Sequence, residues 1–167
     1  MEFRELIKAR YSVRRFSDRP VEPEKLNAVL EAGRLAPTAK NIQPVRIYVA
    51  QSEKALAIMN EASPCIYGAK TVLVICSDES TCWVTPAGKS GGTMDASIVA
   101  THITLAAADE GLGSCWVGMF DEKKLSKLLE LPENIVPQCL MPIGYADMQP
   151  SDRHASRKDL SDTVKYI

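Results

Sequence analysis

Apolar residues recur along the chain with two spacings, which predict different elements. A spacing of three or four residues is typical of an amphipathic helix. On this basis we expect helices at residues 2–9, 23–35, 52–61, 94–110 and 123–130. The helix that begins near Met94 is the longest, and its alanines permit close packing on all sides. The spacing therefore predicts a long helix in the middle of the protein.

Shorter apolar runs predict the strands. We expect strands at residues 45–50, 71–76, 114–117 and 138–141. The run at 71–76 is continuous and rich in β-branched residues, which is typical of a central strand buried on both faces. Helices and strands alternate without a repeat or a clear linker, so the pattern predicts one α/β or α+β domain over residues 1–167 with one mixed sheet.

Two segments lack this periodicity. Residues 77–92 are polar and contain glycine and proline, so we expect a mobile loop there. The tail at residues 149–167 is charged and has little apolar content before Leu160 and Val164. A tail of this kind rarely orders by itself, and we expect it to lie against another subunit.

Composition and charge exclude several classes of protein. The formal net charge of −1 gives no general attraction to nucleic acid or to an anionic membrane. No apolar run approaches the roughly 20 residues that cross a bilayer, and the N-terminus lacks an apolar signal region. The five cysteines form no C-x-x-C pair, so neither a disulfide framework nor a zinc site is indicated. We expect a cytoplasmic protein that binds neither nucleic acid nor membrane.

One basic segment stands out against this neutral background. If residues 10–16 are extended, Arg10, Ser12 and Arg14 share one face, because side chains alternate along a strand. Two guanidinium groups and a hydroxyl are suited to binding a phosphate. Val13 would then point the opposite way, toward the core. Taken by itself, such a segment would more often be a solvated basic loop.

Motifs for other chemistry are incomplete. Gly88-Lys89-Ser90 resembles the end of a Walker A loop, but Trp83 stands where that motif needs a glycine. Gly111-Leu112-Gly113 follows a predicted helix instead of opening one, so it is not a dinucleotide fingerprint. The two histidines have no partner at metal-ligand spacing. So few acid, base or nucleophile candidates indicate a protein that relies on a bound cofactor.

Four separated stretches of the chain together resemble the FMN-dependent nitroreductase family. They are Arg10–Phe16, Ala36–Pro44, Gly111–Gly118 and Ser156–Leu160. The resemblance implies an α+β fold with a central, mostly antiparallel sheet flanked by helices. It also implies a homodimer with FMN at the subunit interface.

The resemblance also assigns residues to the FMN site. Those that would hold the phosphate and ribityl chain are Arg10, Ser12, Arg14, Arg157 and Lys158. Those that would come from the partner subunit and border the flavin are Pro37, Thr38, Ala39 and Asn41. Those that would lie against the ring or near its pyrimidine edge are Trp116, Val117, Gly118 and Asp95.

Simpler roles stay open for several of these residues. Asp95 lies near a helix start, where the helix dipole also favours an acid. Trp116 could be a core residue, and the prolines around residues 37–44 could serve turn geometry alone. Arg157 could belong to a solvated tail. The co-occurrence of the four stretches favours the flavin site.

The function that the resemblance implies is a ping-pong reduction. NADH or NADPH would reduce the flavin, and a nitroaromatic, a quinone or a similar small molecule would then accept the electrons. The alternative is an FMN-binding protein without turnover, such as a sensor or carrier. The span at 77–92 is shorter than the corresponding insertion of many members, so the acceptor is not defined by the sequence.

Overall fold

Four antiparallel strands form the centre of the structure, a computed structural model that describes residues 1–167. The strands are β1 (Val45–Ala50), β2 (Thr71–Asp78), β3 (Gly113–Ser114) and β4 (Ile135–Gly144). Their order in the sheet is β1-β2-β4-β3, and every neighbouring pair is antiparallel. All eight residues of β2 are buried, so the prediction of a central strand is confirmed.

Strand β4 is longer than predicted because it continues through two prolines. Proline cannot donate a ladder hydrogen bond, and it therefore argues against a central strand in a sequence. Here the register with β2 shifts between Ile75 and Cys76, beside Pro137. Pro142 still takes part in backbone hydrogen bonding, because its carbonyl accepts a hydrogen bond from the Cys115 N–H at 3.2 Å. Strand β3 is shorter than predicted.

Seven α-helices surround or extend from this sheet. They are α1 (Phe3–Ala9), α2 (Pro23–Arg34), α3 (Glu53–Ala62), α4 (Gly92–Asp109), α5 (Glu122–Leu128), α6 (Asp152–Ala155) and α7 (Leu160–Thr163). The first five confirm the predicted helices within two residues at most boundaries. No helix is both long enough and apolar enough to span a membrane.

The helix ends follow local chemistry that the sequence shows. Pro23 occupies the first turn of α2, where its missing N–H costs nothing. The Ser52 hydroxyl accepts the Ala55 N–H at 3.2 Å and caps α3. Gly111, at φ 73°, follows the end of α4 in the left-handed conformation that favours glycine.

The sheet separates two apolar cores. Because side chains alternate along a strand, Leu73 and Ile75 of β2 face one side, and Val72 and Val74 face the other. Helices α2 and α4 pack on the first side, and α3 and α5 pack on the second. The long helix α4 packs on one side of the sheet and keeps Met94 and Thr101 exposed, so within this chain it is not packed on all sides as its composition predicted.

The segment at 77–92 is only partly a loop. Ser77 and Asp78 belong to β2, and a bridge joins Val84 to Ser90. The Glu79 carboxylate accepts hydrogen bonds from the hydroxyls of Ser77 and Ser90. We therefore find a hydrogen-bonded connection between β2 and α4, where the sequence predicted a mobile loop.

Gly113 of β3 allows Val13 of the basic segment to pack closely against the sheet. A Cβ on Gly113 would collide with the Val13 side chain, which is fully buried. A Gly113→Ala substitution should therefore displace Val13 and lower the free energy of unfolding by about 1–3 kcal/mol. Urea unfolding measures this change.

Gly118→Ala is the matched control, because a Cβ there would meet no heavy atom within 4 Å. Its unfolding midpoint should equal that of the unaltered protein. Equal midpoints for both variants would show that Val13 does not need this close approach.

Candidate functional site

The segment between α1 and α2 is extended where it pairs with β3, which meets the condition for Arg10, Ser12 and Arg14 to share one face. The Val13 N–H donates to the Ser114 carbonyl at 2.9 Å, and the Val13 side chain is buried in the core. Ser12 bridges the same residue of β3. This pairing turns the side chains of Arg10, Ser12 and Arg14 away from the core. Tyr11 does not follow the alternation strictly, because it borders the same cavity as these three residues.

That cavity, here called the basic cavity, has a volume of about 240 Å³. Its walls come from the extended segment and from the C-terminal tail. They are formed by Arg10, Tyr11, Ser12, Arg14, Ser151, Arg153, His154 and Arg157. The walls hold four guanidinium groups and no carboxylate. The structure thus brings together four of the five predicted phosphate-binding residues, and Lys158 is not among the lining residues.

None of the four arginines in the basic cavity forms an ion pair. Four other arginines of the chain each bind a carboxylate within 3.3 Å: Arg15, Arg19, Arg34 and Arg46. Guanidinium groups that converge without a counter-ion repel one another. Their convergence indicates a site for an anion.

The tail supplies residues that the sequence analysis missed. Ser151, Arg153 and His154 line the basic cavity together with Arg157. The Arg157 Nη1 donates to the carbonyls of His154 and Ser156, at 2.5 and 2.7 Å, which holds the guanidinium against its own backbone. The signal was present in the sequence, since two further basic residues precede the stretch Ser156–Leu160 by only a few positions.

A second cavity of about 260 Å³ adjoins the first and is here called the α4 cavity. Arg10 and Ser12 line both cavities, and the remaining walls are mostly from α4 and β3. The hydroxyls of Thr104 and Ser114 in this cavity are hydrogen-bonded to each other. Neither residue was a candidate from the sequence.

Trp116, Val117 and Gly118, the three residues predicted to lie against the flavin ring, have different surroundings. Trp116 lines the α4 cavity and is 51% exposed, so it is not a core residue. Gly118 is exposed, with open space where a side chain would be. Val117 has its side chain in the core, and its backbone exchanges two hydrogen bonds with Leu140, at 2.9 and 3.0 Å. The exposed surface here is therefore formed by Trp116 and Gly118.

The loop that contains Pro37, Thr38, Ala39 and Asn41 lies elsewhere in the same chain. None of these four residues lines the basic cavity or the α4 cavity. The loop includes a short 3-10 helix over Ala39–Asn41, and the Thr38 hydroxyl accepts the Gln43 N–H at 3.0 Å. Within one chain, the two predicted halves of the site do not meet in a cavity.

Asp95 is attached to that loop. Its Oδ1 accepts the Ala39 N–H at 2.9 Å, and the residue is only 1% exposed. Its Oδ2 has no hydrogen-bond partner. The structure thus connects Asp95 to the loop of its own chain, and its predicted contact with a flavin ring stays a prediction.

Buried thiols offer no nucleophile near the basic segment. Burial raises the pKa of Cys115, and the charges of Arg14 and Arg10 only partly oppose this effect. Burial also raises the pKa of Cys76 and of Cys139 to about 12. These three thiols are therefore protonated at neutral pH, which argues against covalent catalysis by them.

Comparison with known proteins identifies the family of this chain. The sequence profile of the nitroreductase family matches residues 7–71 and 61–145. An Archaeoglobus fulgidus protein, provisionally named NADH dehydrogenase/NAD(P)H nitroreductase, is 33% identical over 84% of this chain and 83% of its own length.

Solved structures show the same fold. A nitroreductase family protein from Clostridium difficile 630 is 38% identical, with a TM-score of 0.94 over 99% of this chain and 98% of its own. An FMN-dependent nitroreductase from C. difficile R20291 is 27% identical, with a TM-score of 0.74 over 94% and 92% of the two chains. The α+β fold, with its antiparallel sheet flanked by helices, is that of these proteins. The chain therefore belongs to the nitroreductase family.

Proposed function

We propose that this protein is an FMN-dependent oxidoreductase that passes reducing equivalents from NADH or NADPH to a small-molecule acceptor. The observation that carries the proposal is the convergence of four arginines without an ion pair on the basic cavity. Support also comes from the relatives, one of which is described as an FMN-dependent nitroreductase and another as an NAD(P)H nitroreductase.

The basic cavity fits the phosphate of FMN. A phosphate monoester carries close to two negative charges at neutral pH and offers three acceptor oxygens. Arg10, Arg14 and Arg157 supply planar donors that match such a group, and the Ser12 hydroxyl adds a further donor. No carboxylate in the cavity walls would repel the phosphate.

The adjoining α4 cavity gives the rest of the cofactor a place to lie. It shares Arg10 and Ser12 with the basic cavity, and the exposed Trp116 forms part of its wall. We infer that Trp116 and the backbone near Gly118 lie against one face of the ring. Val117 would contribute through its backbone, because its side chain belongs to the core.

The residues of the chain bind and orient, while the cofactor provides the reactivity. A bound FMN would supply the redox chemistry that links oxidation of a nicotinamide to reduction of a nitroaromatic, a quinone or a similar acceptor. Hydride transfer needs no side-chain acid or base, which agrees with a site lined by arginines and hydroxyls. Donor and acceptor would use the same exposed face in turn, which is compatible with a ping-pong reaction.

A homodimer would complete this site. The loop over Pro37–Asn41 lines none of the cavities that contain Arg10, and we infer that a second chain supplies this loop to a flavin bound there. The end of the tail also lacks packing against its own chain, because α7 has no buried residue. Leu160 is 73% exposed and Tyr166 96% exposed, and both would be covered in a dimer.

The first test is the visible spectrum of the purified protein. We expect the bands of oxidised flavin, their loss on adding NADH or NADPH, and steady oxidation of the nicotinamide when menadione or a nitroaromatic is present. Flavin bands without turnover would instead favour the binding protein. A colourless protein that takes up no added FMN would contradict both functions.

The phosphate site is tested by an Arg10→Ala, Arg14→Ala double variant. Each substitution removes a charge-assisted contact of roughly 1.5–3 kcal/mol, so the Kd for FMN should rise at least about a hundredfold. Fluorescence quenching of FMN measures the Kd. Arg15→Ala is the matched control, because Arg15 is ion-paired with Asp147 and does not line the basic cavity. An unchanged Kd in the double variant would refute this assignment of the phosphate.

The dimer is tested by a chain that ends at Lys158. This truncation keeps Arg157 but removes α7 and the exposed apolar residues that follow it. We expect the full chain to sediment at twice 18.3 kDa and the truncated chain to dissociate and lose FMN. A full chain that is monomeric and still binds one FMN would overturn the shared site.

A further inference from the structure

The basic cavity contains one histidine side chain. His154, in α6, lines the cavity together with the four arginines. Histidine is the side chain whose ordinary titration falls in the physiological range, whereas arginine keeps its charge. His154 had no predicted role, because no metal-ligand partner stands near it in the sequence.

The ring of His154 is held from two sides. Its Nε2 lies 2.8 Å from the Lys8 carbonyl oxygen, which can only accept, so Nε2 carries the hydrogen. The Tyr11 ring lies beside it, with centroids 6.0 Å apart. Nδ1 makes no hydrogen bond within the chain. It can therefore serve as a donor to a ligand only when the imidazole takes up a second proton.

The groups around His154 are predominantly positive. The extended segment contributes Arg10 and Arg14, together with the neutral Tyr11. The tail contributes Arg153 and Arg157. Three more charged residues lie nearby: Asp152 precedes Arg153 in α6, and the Lys8 ammonium of α1 is paired with Glu5 at 3.2 Å. A fifth positive charge in the cavity costs Coulomb energy, which a bound dianion would offset.

We propose that His154 binds the cofactor phosphate as an imidazolium through Nδ1–H, so that FMN binding takes up a proton from solvent. The inference rests on the proposed function and adds a phosphate contact and a proton to it. The step is a proton transfer alone: neutral imidazole gains one proton and one positive charge, and nothing is oxidised or reduced.

The direction of the pH dependence follows from this step. Free and bound phosphate are both essentially dianionic above pH 7, since the second phosphate pKa is about 6. Across pH 7–9 the phosphate therefore contributes little to the change in affinity. The imidazolium contact is present at the lower end of this range and is lost as the pH rises. The affinity for FMN falls accordingly.

The experiment measures FMN binding to the full chain, freed of cofactor, between pH 7 and pH 9. We expect the Kd of the unaltered protein to rise about five- to tenfold over this range. Calorimetry at pH 7 in buffers of different ionisation enthalpy should show proton uptake on binding. His154→Gln should abolish both the pH slope and the uptake, and His154→Lys should abolish the slope while it keeps the tighter binding at pH 9.

Two controls test whether the pH dependence of FMN binding arises from His154 and from the phosphate. His102→Gln removes the other histidine of the chain, which lies on α4 outside the basic cavity, and should keep the slope of the unaltered protein. Riboflavin, which lacks the phosphate, should bind to the unaltered protein and to His154→Gln with equal Kd values at each pH.

The outcomes separate the inference from the function. If His154→Gln binds FMN with the same slope and proton uptake as the unaltered protein, His154 is not the proton acceptor, although the FMN site stands. A slope that persists with riboflavin also overturns the inference. If the unaltered protein binds no FMN at any pH, the proposed function fails, and the role of His154 fails with it.

Discussion

The pairing of Val13 with β3 is the contact on which the rest of the site depends. One hydrogen bond to Ser114 fixes the register of the extended segment, and burial of the Val13 side chain fixes which way that segment faces. A slip of one residue would turn Val13 outward and drive Ser12 or Arg14 into the core. The free energy gained by packing Val13 in the core thereby keeps the side chains of Arg10, Ser12 and Arg14 pointing outward. A basic cavity on the outside is maintained by an apolar residue on the inside.

Much of the fold was predictable because its signals are local. Pro23, Ser52 and Gly111 mark helix ends through interactions within one helical turn. The continuous apolar run of β2 is by itself enough to predict that this strand is buried on both faces. Strand β4 was underestimated, because it passes Pro137 with a shift in its register against β2. That shift is a property of the pair of strands, which no single segment of sequence contains.

The candidate site was also predictable only in part, because some of its features are local in the sequence and others depend on contacts between distant segments. Alternation placed Arg10, Ser12 and Arg14 on one face, and the resemblance brought Arg157 to them. Alternation predicts that Trp116 and Val117 face opposite ways, but it does not show which of the two is buried, since that depends on the pairing of Val117 with Leu140. The contact between Asp95 and Ala39 joins residues far apart in the sequence. Such contacts become visible only when the chain is folded.

The loop at 37–43 has a further consequence for ligands. Lys40, Asn41 and Gln43 have φ values of 52°, 55° and 57°, in the left-handed region that non-glycine residues rarely occupy. Each such residue costs on the order of 1 kcal/mol, and the bonds from Thr38 and Asp95 hold the loop in place against that cost. The unfavourable energy is thus incurred when the chain folds. A molecule that docks on this loop meets a surface already shaped, so its affinity is not reduced by the entropy of ordering a flexible segment.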